Sequence, residues 1–231
     1  MGRPMRVDLN ADLGEEITDD AGLLALVTSA NVACGFHAGN AAIMRAVCAE
    51  AARLGVAVGA QVSYADRENF GRVALEVSYE VLRAQVEEQV ATLNAVAVAE
   101  GVAVSYVKPH GALYHRTMDD REQARAVLDA SGTLPVLGMP GVLLSLAEEA
   151  GRDVWQEGFP DRGYDAAGRL VPRDQPGALV VDAGAIVDNA LGLAARVDSL
   201  CLHGDSPGAV EHARLVRAAL EAAGWDLRPV G

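Results

Sequence analysis

The sequence is short of cysteine, of positive charge and of long apolar runs, and each shortage removes a class of protein. The three cysteines, Cys34, Cys48 and Cys201, are odd in number and form no CxxC pair, which argues against a disulfide framework and a structural zinc site. Cys34 and Cys201 stand near His37 and His203, so a thiol nucleophile has to be weighed; small buried packing residues are the expected role. Basic residues number 19 against 32 acidic ones, a formal net charge of −13, which argues against a nucleic-acid backbone as partner. No apolar run reaches membrane-spanning length, and residues 1–4 lead straight into a strand-like segment rather than the apolar core of a signal sequence. The expectation is a cytoplasmic protein with no membrane partner. Neither GxGxxG nor GxxxxGK[ST] follows any strand-like segment, so a dinucleotide fingerprint and a Walker loop are both missing.

What is present is an alternation of strand and helix. The 231 residues are 51% apolar, enough for one α/β domain with a large core. Apolar runs at 5–10, 30–34, 56–60, 102–107, 134–137, 153–156 and 199–202 read as strands, several of them continuous, as in a parallel sheet covered on both faces. Between them, helical spacing is expected at 21–27, 41–54, 78–100, 119–130, 141–150 and 183–196. A final helix is opened by Ser206 as cap and Pro207 in its first turn. A long loop at 61–71 and a hairpin-like excursion at 165–182 interrupt the pattern. No linker divides the chain. The expected fold is a single-domain, irregular seven-stranded (β/α) barrel over residues 1–231, with an open doubly wound sheet as the alternative.

Polar residues gather where these strands end. Lys108-Pro109-His110-Gly111 delivers a cation and an imidazole at one point, since Pro109 stops the ladder and Gly111 turns the backbone. Asp8, Asn10, Asp12 and Glu15 stand at or just past the end of the first strand, His37 past the second, Glu157, Asp161 and Arg162 past the sixth, and His203 with Asp205 past the seventh. On a barrel rim such groups meet although they are remote in sequence, and can then act as acid, base and carbonyl polariser. Asp12, His37 and His110 form the minimal set for a divalent metal, although no HxxxH or HExxH spacing specifies one. Arg162 and Arg173 suit an anionic group on a substrate. His115 and His212 are expected to be peripheral and solvated.

Several strings together resemble the LamB/YcsF family of 5-oxoprolinase A subunits. They are Asp8-Leu9-Asn10-Ala11-Asp12-Leu13-Gly14-Glu15, the run from Ser29 to Asn40, Phe70-Gly71-Arg72, and Lys108-Pro109-His110-Gly111-Ala112-Leu113-Tyr114. Glu157-Gly158-Phe159 with Asp161-Arg162, Leu170-Val171-Pro172-Arg173 and Cys201-Leu202-His203-Gly204-Asp205 complete the set. The resemblance implies a seven-stranded barrel similar to the glycoside hydrolase/deacetylase superfamily. It also implies ATP-dependent opening of 5-oxo-L-proline to L-glutamate, with ATP handled jointly with partner subunits B and C. Under it the catalytic candidates are Asp12, Glu15, His37, Lys108 and His110. Asp8, Asn10, Gln61, Tyr64, Glu157, Arg162, Arg173, His203 and Asp205 are expected around the substrate. Gln61 stands where the family typically has histidine, and Asn40 where it often has aspartate. Gln61 cannot carry a proton as imidazole does and is a poor metal ligand. A metal-dependent amidohydrolase or deacetylase acting on N-acyl sugars is the alternative, which stoichiometric zinc would favour. A non-catalytic subunit binding a carboxylated ligand is a third reading.

Overall fold

The computed structural model describes residues 5–17, 19–205 and 208–230. Seven strands pair in parallel in chain order: β1 (Arg6–Leu13), β2 (Ser29–Ala33), β3 (Ala57–Val62), β4 (Val104–Pro109), β5 (Val136–Gly138), β6 (Val154–Gly158) and β7 (Ser199–Leu202). Because β1 pairs with both β2 and β7, the sheet closes into a barrel and the open-sheet alternative falls. A two-residue strand, β8 (Asp226–Leu227), adds to the start of β1; so short an element leaves no readable period in a sequence.

The helices are α1 (Asp20–Leu24), α2 (Ala41–Leu54), α3 (Tyr79–Ala99), α4 (Gly111–Asp119), α5 (Arg121–Ala130), α6 (Val142–Glu149), α7 (Ala183–Ala194) and α8 (Ala209–Ala222). Their ends are set by short-range chemistry. The Asn40 side chain accepts from the amides of Ala42 and Ile43 at the start of α2, and Gly55, at φ 71°, ends it in the left-handed region that glycine tolerates. The cap residues Ser206 and Pro207 expected before α8 lie outside the described residues. One boundary differs from expectation. The chain enters α4 immediately after the Lys108–His110 strand end and breaks at Asp120, whose carboxylate accepts from Glu122 and Gln123 to start α5. The 119–130 pattern caught only the second of these two helices.

The main apolar core lies between the strands and their helices, where Leu9 and Leu13 of β1 join Leu82, Val86 and Leu93 of α3 and Val216 and Leu220 of α8. Each such fully buried side chain contributes roughly 1.5–3 kcal/mol. The barrel interior is different, because the strand period of two sends Asp8, Asn10 and Asp12 to the other face of β1. Asp8 accepts from Thr28 Oγ1 at 2.6 Å, Ser29 Oγ at 2.7 Å and Ser199 Oγ. Above it, Asn10 donates to Ser199, Asn31 donates to Asn10 and Asp12, and the Tyr106 hydroxyl donates to Asn31 Oδ1 at 2.6 Å. Gly59 leaves room for Tyr106, since a Cβ there would sit 2.1 Å from its ring. A hydrogen-bonded polar column therefore climbs from Asp8 to Asp12.

Candidate active site

Lys108, the only lysine in the chain, stands at the top of that column. Its ammonium lies 3.2 Å from Asp12 Oδ1, 2.9 Å from Glu157 Oε2 and 3.2 Å from Cys201 Sγ. Burying an unpaired ammonium costs several kcal/mol, so the two carboxylates are what hold it there. Burial opposes its charge, but Asp12 and Glu157 outweigh burial and keep the Lys108 pKa well above the ordinary lysine value. Burial also pushes Asp12 upward, yet Lys108, followed by His203 and His110, holds it below the usual carboxylate range. The site thus keeps a fixed cation beside a fixed anion. Cys201 is pushed up by burial and stays a thiol, so packing, and not nucleophilic attack, is the role its surroundings allow.

To one side, the rings of His37 and His110 stack with centroids 4.1 Å apart. Glu15 Oε1 lies 3.8 Å from His37 Nε2 and 3.5 Å from His110 Nε2, and accepts a hydrogen bond from Gln61 Nε2 at 2.9 Å. Burial raises the Glu15 pKa, whereas burial and the neighbouring His37 lower that of His110 well below the usual imidazole value. His110 is therefore a neutral acceptor at neutral pH. Phe70 closes this corner with its ring edge-on to both imidazoles. It does so at φ 58°, a conformation costing a non-glycine residue about 1–3 kcal/mol and typical of functional loops.

Opposite, His203 Nδ1 lies 2.9 Å from Asp161 Oδ2, and the same carboxylate accepts the His203 backbone N–H at 3.0 Å. Phe159 stacks against the imidazole. The Asp161 pKa, pushed up by burial, is brought below the ordinary range by His203. A carboxylate that fixes one ring nitrogen leaves the other available to exchange a proton with whatever fills the cavity. Asp12, Lys108, His110 and His203 all line one cavity of about 250 Å³ at the C-terminal mouth of the barrel, with Arg72, Arg162 and Arg173 on its walls.

One donor atom from each of Glu15, His37 and His110 falls within 4.8 Å of the other two, the composition of a His2Glu zinc site. Asp12, expected to join the two histidines, is engaged by Lys108 and Asn31 instead. The imidazoles are inclined by only 19° in their stack, so their in-plane lone pairs run side by side and do not meet at one point. As arranged, the set does not fit a metal ion unless a ring turns.

The sequence profile of the LamB/YcsF family matches residues 7–231. The chain belongs to the LamB/YcsF family. Its relatives include a protein of Streptomyces avermitilis that is named as the A subunit of 5-oxoprolinase, 53% identical over 94% of this chain and 97% of its own. A Mycobacterium marinum protein of the same name is 46% identical over 96% and 98%. Among solved structures, the lactam utilization protein from Thermus thermophilus superposes with a TM-score of 0.91 at 38% identity, covering 97% of this chain and all of that one. The Bc1960 peptidoglycan N-acetylglucosamine deacetylase, at 17% identity and a TM-score of 0.56 over 97% and 86% of the two chains, shares the fold.

Within this LamB/YcsF barrel, Asp12, Glu15, His37, Lys108, His110, Gln61, Glu157 and His203 come together at the mouth. Asp8 and Asn10 do not: β1 runs to Leu13, beyond the residue-10 limit expected, which leaves both in the column below, with Asp8 occupied by three hydroxyls. Tyr64 turns away from the cavity, and its hydroxyl donates to Gln123 at 3.0 Å. Arg162 is on the cavity wall, yet its guanidinium donates to the carbonyls of Ala178 and Val171 and anchors the 163–180 excursion. His115, expected to be peripheral, borders the cavity although exposed. Sequence reasoning assigned no specific role to Asp161, whose bond to His203 spans 42 positions, or to Arg72. The strings Asp161-Arg162 and Phe70-Gly71-Arg72 were the signal for both.

Proposed function

We propose that this chain is the A subunit of an ATP-dependent 5-oxoprolinase, opening the lactam of 5-oxo-L-proline to L-glutamate together with subunits B and C. The observation that carries the reading is the cavity in which an ammonium, an ionised carboxylate and a carboxylate-backed imidazole face one small space. That constellation suits hydrolysis of an amide. The names borne by the relatives, a 5-oxoprolinase A subunit and a lactam utilization protein, support the substrate class.

In this reading, water is held by Asp12 and gives its proton to His110 as it adds to the ring carbonyl carbon. Lys108 faces the oxygen on which negative charge gathers. The ring C–N bond then breaks, and the nitrogen takes a proton from His203, which Asp161 holds in place. The amide of a five-membered lactam is unstrained, so opening has to be driven. In this reading the terminal phosphoryl of ATP passes to the amide oxygen with release of ADP, C–N cleavage leaves an acyl phosphate, and a second water converts that to the carboxylate and free phosphate. ATP is then handled jointly with the partner subunits, in keeping with a sequence that carries no recognisable phosphate loop. The test is reconstitution with B- and C-like chains. Glutamate formed only with all three and ATP supports the proposal; turnover by the isolated chain with ATP overturns the division of labour. If Asp12→Ala and His110→Ala both retain full activity in the complex, the chain is a scaffold.

The alternative, a metal-dependent amidohydrolase, rests on the composition of the Glu15, His37 and His110 set, which would hold an ion only after one of the stacked imidazoles turned. Metal analysis separates the two: stoichiometric zinc with release of acetate from N-acyl sugars establishes the second.

A further inference from the structure

At the mouth of the cavity, Asp205 is shared by two arginines. Its Oδ2 accepts from a terminal nitrogen of Arg72 and lies 3.5 Å from one of Arg173. The three groups come from three separate segments: the loop after β3, the excursion after β6 and the end of β7. Arg72 is held in place from beneath. Its guanidinium lies 4.8 Å above the Phe70 ring. The adjoining Gly71 is pressed so tightly against the start of α4 that a Cβ on Gly111 would sit 2.3 Å from the Gly71 carbonyl oxygen. The Gly71 carbonyl also accepts the Ala112 N–H at 2.8 Å.

Two guanidiniums meeting on one carboxylate oxygen form a receptor for a carboxylate, and Asp205 is occupying it. The pair with Arg72 leaves the arginine 41% and the aspartate 12% exposed. The arginine side of the pair is open to solvent, which screens the attraction and lets the guanidinium exchange one carboxylate for another. The surroundings favour a monoanion over a phosphate, because Asp12, Glu157 and Asp161 already line or adjoin the cavity. We propose that Arg72 and Arg173 receive the carboxylate of the small-molecule substrate, and that Asp205 is an internal stand-in which the incoming carboxylate displaces. The lactam reading is used only for the ring that bears the carboxylate.

Calorimetric titration of the full chain tests this, with 5-oxo-L-proline, 2-pyrrolidinone (the same ring without the carboxylate) and propionate as probes. Wild type is expected to bind 5-oxo-L-proline at least roughly tenfold more tightly than 2-pyrrolidinone. Arg72→Gln and Arg173→Gln should each remove most of that preference. Asp205→Asn, which frees both guanidiniums, should bind 5-oxo-L-proline several-fold more tightly than wild type. Circular dichroism and the thermal midpoint check that each variant is folded. Equal binding of the two lactams, unchanged preference in both arginine variants, or weaker binding by Asp205→Asn overturns the proposal. If neither lactam binds but propionate does, and the arginine variants lose it, the receptor stands and the lactam reading falls. If wild type holds no carboxylate at all, the receptor falls.

Discussion

The lower and upper ends of the barrel interior are built from the same kinds of residue and are equally buried, yet they differ in how their polar atoms are satisfied. At the lower end, Asp8 receives three hydroxyls and the Asn10–Asn31–Tyr106 bonds leave little unmet. At the upper end, both nitrogens of His37, Nδ1 of His110 and Oε1 of Gln61 are buried without a hydrogen-bond partner among the described residues. Buried polar groups are normally paired, and an unpaired one costs about 1–3 kcal/mol. The satisfied end is part of the fold. The unsatisfied end retains capacity to bind, which is what a site that handles substrate and protons requires.

Variants can break this contrast. The largest effect is expected from Lys108→Met, which leaves Asp12 and Glu157 buried without their cation. Urea unfolding should show a loss of about 3–5 kcal/mol, and activity of the reconstituted complex should fall by about 10³-fold. Next comes His203→Asn, expected to cut activity by roughly 10²-fold or more while the thermal midpoint stays close to that of wild type. Asp161→Asn should move the pH–rate profile as well as the rate, because it alters the imidazole's partner. A large stability loss in either would place the dyad with the fold instead.

The lower end should answer to pH. Burial raises the Asp8 pKa from 3.8 to about 6, so between those values the folded chain holds a proton that the unfolded chain has released. That contribution is fully present below about pH 4 and is lost as pH rises through about 6, with a ceiling on the order of 3 kcal/mol. Asp8→Asn should flatten the fall in unfolding free energy between about pH 4 and 6 and leave the rate profile alone. A smaller loss, about 1–3 kcal/mol from overpacking against Tyr106, is expected for Gly59→Ala, with turnover per folded molecule unchanged.

Much of this was legible in the sequence because β/α alternation is a local signal. The seven strands and the α2 span of 41–54 follow from apolar periodicity and cap residues read over short windows. Convergence of Asp12, Glu15, His37, Lys108, His110 and His203 followed from where they sit relative to strand ends. Depth did not follow. Asp8, Asn10 and Asp12 share one face of β1, and only the true end of the strand tells which one reaches the mouth. The placement of Arg162 and Tyr64 was equally hidden, since their partners, Ala178 and Gln123, are set by how the excursion and α5 fold back. Helix α4 was missed because residues 111–114 were read as part of the Lys108 strand end and not as the start of a helix.

The single lysine offers the most direct test of where the lactam sits. With ¹⁵N-lysine labelling, the protein, alone or with unlabelled partner subunits, carries one side-chain nitrogen resonance. Addition of 5-oxo-L-proline should shift that resonance saturably while the ammonium stays charged, and 2-pyrrolidinone should produce the same shift only at higher concentration. A lysine signal unmoved at concentrations that saturate turnover would place the reaction outside this cavity and contradict the account.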